Sequence, residues 1–126
     1  MSGEHRPATG PDLRVTVERV SESVCVVRPV GDMDMDRRHQ FAAALDEAMQ
    51  PPAARVVVVD LAGLGFCDST GVNALLTART TASAAGIRLV VAGPSQQMLR
   101  LLEATGADEV FDIEEDVDAA LNAADG

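Results

Sequence analysis

Arg55-Val56-Val57-Val58-Val59-Asp60-Leu61 is the stretch that decides the fold. Four consecutive valines and a leucine show no alternation of apolar and polar residues, so neither side of the segment suits water. β-Branched side chains favour extended backbone. A strand without a polar face belongs to a parallel sheet covered on both sides by helices. A second run of this kind, Ile87-Arg88-Leu89-Val90-Val91-Ala92, follows downstream. Between the two runs, Val72, Leu75 and Leu76 begin a helical spacing that continues to Gly86, a residue suited to ending a helix. Strand, helix and buried strand together predict a layered α/β fold.

Upstream, residues 13–20 (LRVTVERV) alternate and predict a half-buried strand, and residues 24–30 (VCVVRPV) predict a second one, joined to the first as an antiparallel hairpin. A helix is expected from about Arg37 to Met49, with Asp36 as its N-cap and Phe41, Ala44, Leu45, Ala48 and Met49 on its apolar face. Pro51-Pro52 ends it, and Ala62 to Cys67 reads as a loop. Downstream, Gly93-Pro94-Ser95 opens a helix closed by Gly106. A short strand at 110–113 and an acidic helix at 114–124 follow, the latter with Val117, Ala120 and Leu121 on one face. The expected product is a mixed, mostly parallel sheet of about five strands with an N-terminal β-hairpin and about four helices. It forms one domain over residues 13–124, preceded by a flexible arm at 1–12 that is rich in Gly and Pro.

Composition narrows the function. The 126 residues carry 10 basic and 20 acidic side chains, a formal net charge of −10, and every base is Arg. Ten scattered Arg assemble no phosphate-neutralising face, so direct nucleic-acid binding is not expected. Three Phe with no Trp or Tyr give no stacking platform for single strands. No run of about 18 apolar residues exists, so no membrane span is expected. The N-terminus lacks the apolar core of a signal peptide, so a cytoplasmic location is expected. Cys25 and Cys67 read as buried free thiols. They do not combine with His5 and His39 into a metal site, and no cofactor is implied.

Asp68-Ser69-Thr70-Gly71 is the segment that carries chemistry. Asp, Ser and Thr all satisfy free amides at a helix start. A hydroxyl there also sits where amides and the helix dipole favour an anion, so phosphate on it leaves the fold intact. The strands at 24–30 and 55–61 are expected to be parallel neighbours. Gly31–Asp36 and Gly65–Ser69 then leave the sheet at one edge, bringing Asp32, Asp34, Asp36 and Asp68 together as an acidic surface for a basic partner. Asp60, at the end of a buried strand, is expected to hydrogen-bond the following loop. Met33 and Met35 suit either the core or an adaptable interface, and the acidic stretch from Asp108 to Asp118 reads as a solvated helix face.

Four pieces in order give the chain a family resemblance. They are Gly31-Asp32-Met33-Asp34; Val56 to Leu61; Phe66-Cys67-Asp68-Ser69-Thr70-Gly71-Val72; and Gly93-Pro94-Ser95 with Met98 to Leu102 and Gly106. Over residues 13–121 the chain resembles the bacterial anti-sigma factor antagonists, single-domain members of the STAS group. The resemblance implies that Ser69 is the phosphoacceptor and that an anti-sigma factor serine kinase is the partner. It further implies that the unphosphorylated form binds this partner and frees a sigma factor, and that a phosphoserine phosphatase reverses the modification. Asp34 matches the family's partner-touching aspartate, and Asp32, Asp68, Thr70 and Gly71 fall in the same motifs. Two departures stand out: Asp32 replaces the usual Glu, and Asn73 stands where a small residue is usual.

Other readings fit less well. A phosphoacceptor receiver domain needs a lysine that the chain lacks and acidic residues where its first strand ends in Val20-Ser21. A serine nucleophile needs a histidine, and none follows Ser69. No catalytic activity is expected. The nearest alternative lies within the same fold: a STAS scaffold or regulatory subunit of a stress-signalling assembly or transporter, without sigma-factor partner switching.

Overall fold

The structure, a computed structural model, describes residues 13–52 and 54–125; the arm expected at 1–12 lies outside them. The strands are β1 (Arg14–Arg19), β2 (Val24–Met33), β3 (Val56–Asp60), β4 (Leu64–Cys67), β5 (Arg88–Ala92) and β6 (Asp112–Glu114). The helices are α1 (Arg38–Ala48), α2 (Ser69–Ala84), α3 (Gln96–Thr105) and α4 (Val117–Asp125). A 3-10 turn at Ala107–Glu109 precedes β6.

The sheet runs β1-β2-β3-β5-β6. β1 is antiparallel to β2, and the other pairs along this path are parallel. Each crossover from β2 through α1 to β3, from β3 through α2 to β5, and from β5 through α3 to β6 moves the same way across the sheet. Right-handed crossovers taken in one direction put all their helices on one face. Accordingly α1, α2 and α3 pack on one side, where Phe41, Leu45, Val72, Leu75, Met98 and Leu102 meet Val27, Val57, Val59 and Val91. The other side is left to α4, whose Ala120 meets Val26, Val58 and Val90. The valines of β3 thus alternate between two buried layers, as a strand without a polar face must.

The structure departs from the sequence reading where local signal is weak. β2 does not stop at Val30 but continues to Met33, and its far end pairs with β4. The segment read as a loop at 62–67 therefore contains a sixth strand, of four residues, which exists only through this pairing. β2 can serve two partners because its first half pairs with β3 while a register shift between Gly31 and Met33 re-aims its second half at β4. Gly31 holds φ 115 at that shift, a region closed to most side chains. Helix α1 begins one residue later than expected, with Arg37 rather than Asp36 at its N-cap and no side-chain cap. The expected caps of α3 are present: the Ser95 hydroxyl accepts from Met98 N at 3.1 Å, and Gly106 ends the helix at φ 77.

The acidic stretch from Asp108 to Asp118 is not one helix face. It spans the 3-10 turn, β6 and the start of α4. Asp112 pairs with Arg88 Nε at 2.9 Å, and Asp116 accepts from Ala119 N at 2.8 Å, which caps α4. Asp60 does hydrogen-bond its loop, accepting from Ala62 N at 3.0 Å, and Arg28 Nε reaches its second oxygen at 3.3 Å.

Candidate functional site

The site forms where β2 and β4 end side by side. Met33 stands opposite Cys67 in their parallel register, so the residues that follow each strand leave at the same edge. From β2 come Asp34, Met35 and Asp36. From β4 come Asp68 and Ser69.

Asp68 is the N-cap of α2. Its extended backbone (φ −105, ψ −172) turns the side chain back, and Oδ1 accepts from Thr70 N at 3.0 Å. The Thr70 hydroxyl donates to the same oxygen. Of the three residues able to cap this helix, the structure therefore uses Asp68. Ser69, the first residue of α2, is exposed, and among the described residues its hydroxyl has no hydrogen-bond partner.

The turn of α2 behind Ser69 is held tightly. Gly71 is buried, and a Cβ on it would collide with Cys67 Sγ and stand 2.9 Å from Met33 Sδ. Packing of the helix start against the strand ends thus accounts for the glycine. Gln97 of α3 donates from Nε2 to the Cys67 carbonyl at 3.2 Å, tying a third element to the segment before Ser69. Met33 is fully buried, while Met35 is 65% exposed, so only Met35 is on the surface. Cys25 and Cys67 are free and buried. Burial, and then the neighbouring Asp68 carboxylate, push the Cys67 thiol up to about 11 from 9.0. A thiol reagent at pH 8 should therefore modify Cys67 in the native chain at least about a hundredfold more slowly than in the denatured chain, because the thiolate is the nucleophile. Equal rates measured in a timed alkylation would contradict this burial. The folded state holds this proton more tightly, so its contribution to stability is complete below pH 9.0 and is lost as pH rises toward 11.

The aspartates expected along this edge have different tasks. Asp32 Oδ1 accepts from Phe66 N at 3.0 Å, replacing a ladder carbonyl beside the register shift. Gly65 allows it: a Cβ there would stand 2.9 Å from that oxygen. Asp34 Oδ1 accepts from Asp36 N and Arg37 N, both at 3.1 Å, and its Oδ2 pairs with Arg37 at 2.7 Å. Asp36 is exposed. The edge is acidic, but Asp32, Asp34 and Asp68 each also organise backbone, and Asp34 has a cation beside it. Phe66, 49% exposed, joins Met35 as surface apolar area near Ser69. Its motif position was legible in sequence, but its exposure depends on β4, which was not. Asn73 is exposed and lines a groove of about 350 Å³ between α1 and α2, with Thr70, Arg38 and His39.

Asp34→Ala tests the double role. As a surface loop residue it would change stability by at most about 0.5 kcal/mol. Its contacts to two backbone amides raise the expected loss to about 1 kcal/mol, read from denaturant unfolding. Stability unchanged in the variant would reduce Asp34 to a solvated carboxylate.

The fold and this site define the class. The STAS domain pattern matches residues 16–120, and the chain belongs to that family. Among its relatives, an anti-sigma F factor antagonist of Lysinibacillus sphaericus is 27% identical over 94 residues, covering 75% of this chain and 80% of that protein. The crystal structure of an anti-sigma factor antagonist from Mycobacterium paratuberculosis superposes with a TM-score of 0.74 at 26% identity, covering 89% of this chain and 93% of that one. The phosphorylated form of the Bacillus cell-fate determinant SpoIIAA shares the fold, with a TM-score of 0.71 at 22% identity over 88% of this chain and 99% of its own. Among the described residues, no helix is long and apolar enough to cross a membrane.

Proposed function

We propose that this protein is an anti-sigma factor antagonist switched by phosphorylation of Ser69. Unphosphorylated, it binds an anti-sigma factor that is also a serine kinase and so frees a sigma factor. Phosphate on Ser69 ends the binding, and a phosphoserine phosphatase restores it. The observation that carries this reading is the exposed hydroxyl of Ser69 on the first residue of α2, without a hydrogen-bond partner among the described residues. The names of the relatives, and a phosphorylated form among proteins of the same fold, support it.

The physics of the position suits a switch. The helix dipole at the start of α2 favours an anion, so phosphate does not unfold the domain. It adds about −1.5 to −2 charges to an edge that already holds Asp32, Asp36 and Asp68. The surface changes while the scaffold stays. Asp32, Asp34 and Asp68 then act around Ser69 as the acidic rim that the partner reads, with Thr70 beside them, and charge complementarity of this kind sets specificity and association rate. Kinase and ATP lie on the partner, so the chain itself needs neither a cofactor nor catalytic residues.

The test is reconstitution with the anti-sigma factor kinase. Size-exclusion chromatography with ADP should give a stable complex. Exchange of ADP for ATP should add the mass of one phosphate and dissolve it. No complex and no mass gain would overturn the proposal.

A further inference from the structure

We propose that Asp68 confines phosphorylation to Ser69 by keeping the adjacent Thr70 hydroxyl out of reaction, an inference that rests on the reading of Ser69 as acceptor. Ser69 and Thr70 are neighbouring hydroxyls in the first turn of α2, so proximity to a kinase does not by itself choose between them. In the transfer, a hydroxyl oxygen attacks the γ-phosphorus of a nucleoside triphosphate held by the kinase. The new O–P bond forms, the bond from that phosphorus to the β,γ-bridging oxygen breaks, and a nucleoside diphosphate leaves. The hydroxyl proton passes to a base of the kinase. The attacking oxygen must therefore be reachable, and its proton must be free to pass to that base, with no carboxylate already hydrogen-bonded to the hydroxyl.

Ser69 meets these conditions, being exposed and without a hydrogen-bond partner among the described residues. Thr70 meets none of them. It is half-buried. Its hydroxyl proton is directed at Asp68 Oδ1, and its backbone N–H is held by the same oxygen at 3.0 Å. Two donors of one residue on one carboxylate oxygen fix the Thr70 rotamer. A phosphoryl group approaching Thr70 Oγ1 would meet the Asp68 carboxylate at contact distance, where like charges repel. Thr70 also lies in the wall of the groove between α1 and α2. Asp68 is thus a positioning residue: it caps the helix that presents Ser69 and withdraws the competing nucleophile next to it.

The experiment uses the full chain, its anti-sigma factor kinase and ATP, with the phosphosite mapped by tandem mass spectrometry. The intact chain should carry phosphate on Ser69 alone, and Ser69→Ala should carry none. Combining Ser69→Ala with Asp68→Ala should bring phosphate onto Thr70, at least about tenfold above the detection floor that Ser69→Ala alone does not exceed, the order of effect of removing one hydrogen bond to a charged group. Since Asp68→Ala also removes the helix cap, Asp68→Gly serves as the second variant, because glycine is tolerated at an N-cap. Asp68→Asn keeps an acceptor for Thr70 and should leave Thr70 unmodified in the Ser69→Ala background. Phosphate on Thr70 in Ser69→Ala itself, or its absence from both the Asp68→Ala and the Asp68→Gly combinations, overturns the inference. An intact chain that takes no phosphate on Ser69 overturns the parent reading instead.

Discussion

Ser69→Ala is expected to abolish phosphorylation completely and leave the chain permanently bound to its anti-sigma factor. On the proposed reading the loss is total, because the exposed Ser69 hydroxyl would be the acceptor and its neighbour is tied to Asp68. Fold and binding should change little. The hydroxyl makes no internal hydrogen bond among the described residues, so stability and affinity should stay within about 0.5 kcal/mol, roughly a factor of two, of the parent chain. Ser69→Asp is the complement. It places a carboxylate at a helix start that tolerates one, so its circular dichroism should match the parent chain. Affinity for the anti-sigma factor should fall by about tenfold or more, since the added carboxylate faces the nucleotide phosphates carried by the kinase, and like charges opposed across an interface cost about 1.4 kcal/mol or more. Titration calorimetry with the kinase and ADP, alongside intact-mass measurement after ATP, reads both outcomes. An Ala variant that still gains phosphate would falsify the assignment of the acceptor. An Asp variant that binds like the parent chain would show that charge is not what ends the complex.

The contrast between these variants and their surroundings shows which parts of the molecule sequence makes legible. Val56 to Val59 announced their environment because both faces of β3 are buried, and a strand of that kind has few alternatives. Ser95 and Gly106 announced the ends of α3 because a cap is a local event between residues three or four apart. β4 was hidden because nothing within 64–67 makes a strand: two of the four residues are exposed, and the pairing comes from an extension of β2 more than thirty positions upstream. The same reason hid the role of Asp32, whose partner is Phe66 N, and the second partner of Asp60, Arg28. Asp36 was a fair candidate for the cap of α1 on residue type. Asp34 prevails because it closes a turn on Asp36 N and Arg37 N before the helix starts, as Asx side chains do. Around Ser69, sequence located the motif, whereas the division of labour between its two hydroxyls depends on a side-chain geometry that residue spacing does not encode.

Gly71→Val should be the most destabilising single change near the site, and it separates packing from recognition. Sequence resemblance places Gly71 among partner-contacting residues, whereas its burial against Cys67 Sγ and Met33 Sδ makes it a contact between α2 and the ends of β2 and β4. Both sulfur-bearing side chains are themselves buried, so neither has open space to move into. Forcing extra carbons into a close-packed core costs about 1–3 kcal/mol, and a β-branched residue in a helix adds a few tenths more. A loss of about 2–3 kcal/mol corresponds to a melting temperature lower by about 10 °C in a domain of this size. Gly71→Ala should cost less, because alanine's better helix propensity offsets about 0.5–1 kcal/mol of the clash. The decisive variant is Gly71→Ala combined with Cys67→Ala, which removes the sulfur in the way. If packing is the reason for the glycine, the two changes couple, and the double variant is more stable than the sum of the single effects. Its binding to the anti-sigma factor should then return with its stability. Stability that returns while binding stays lost would make Gly71 a residue the partner touches.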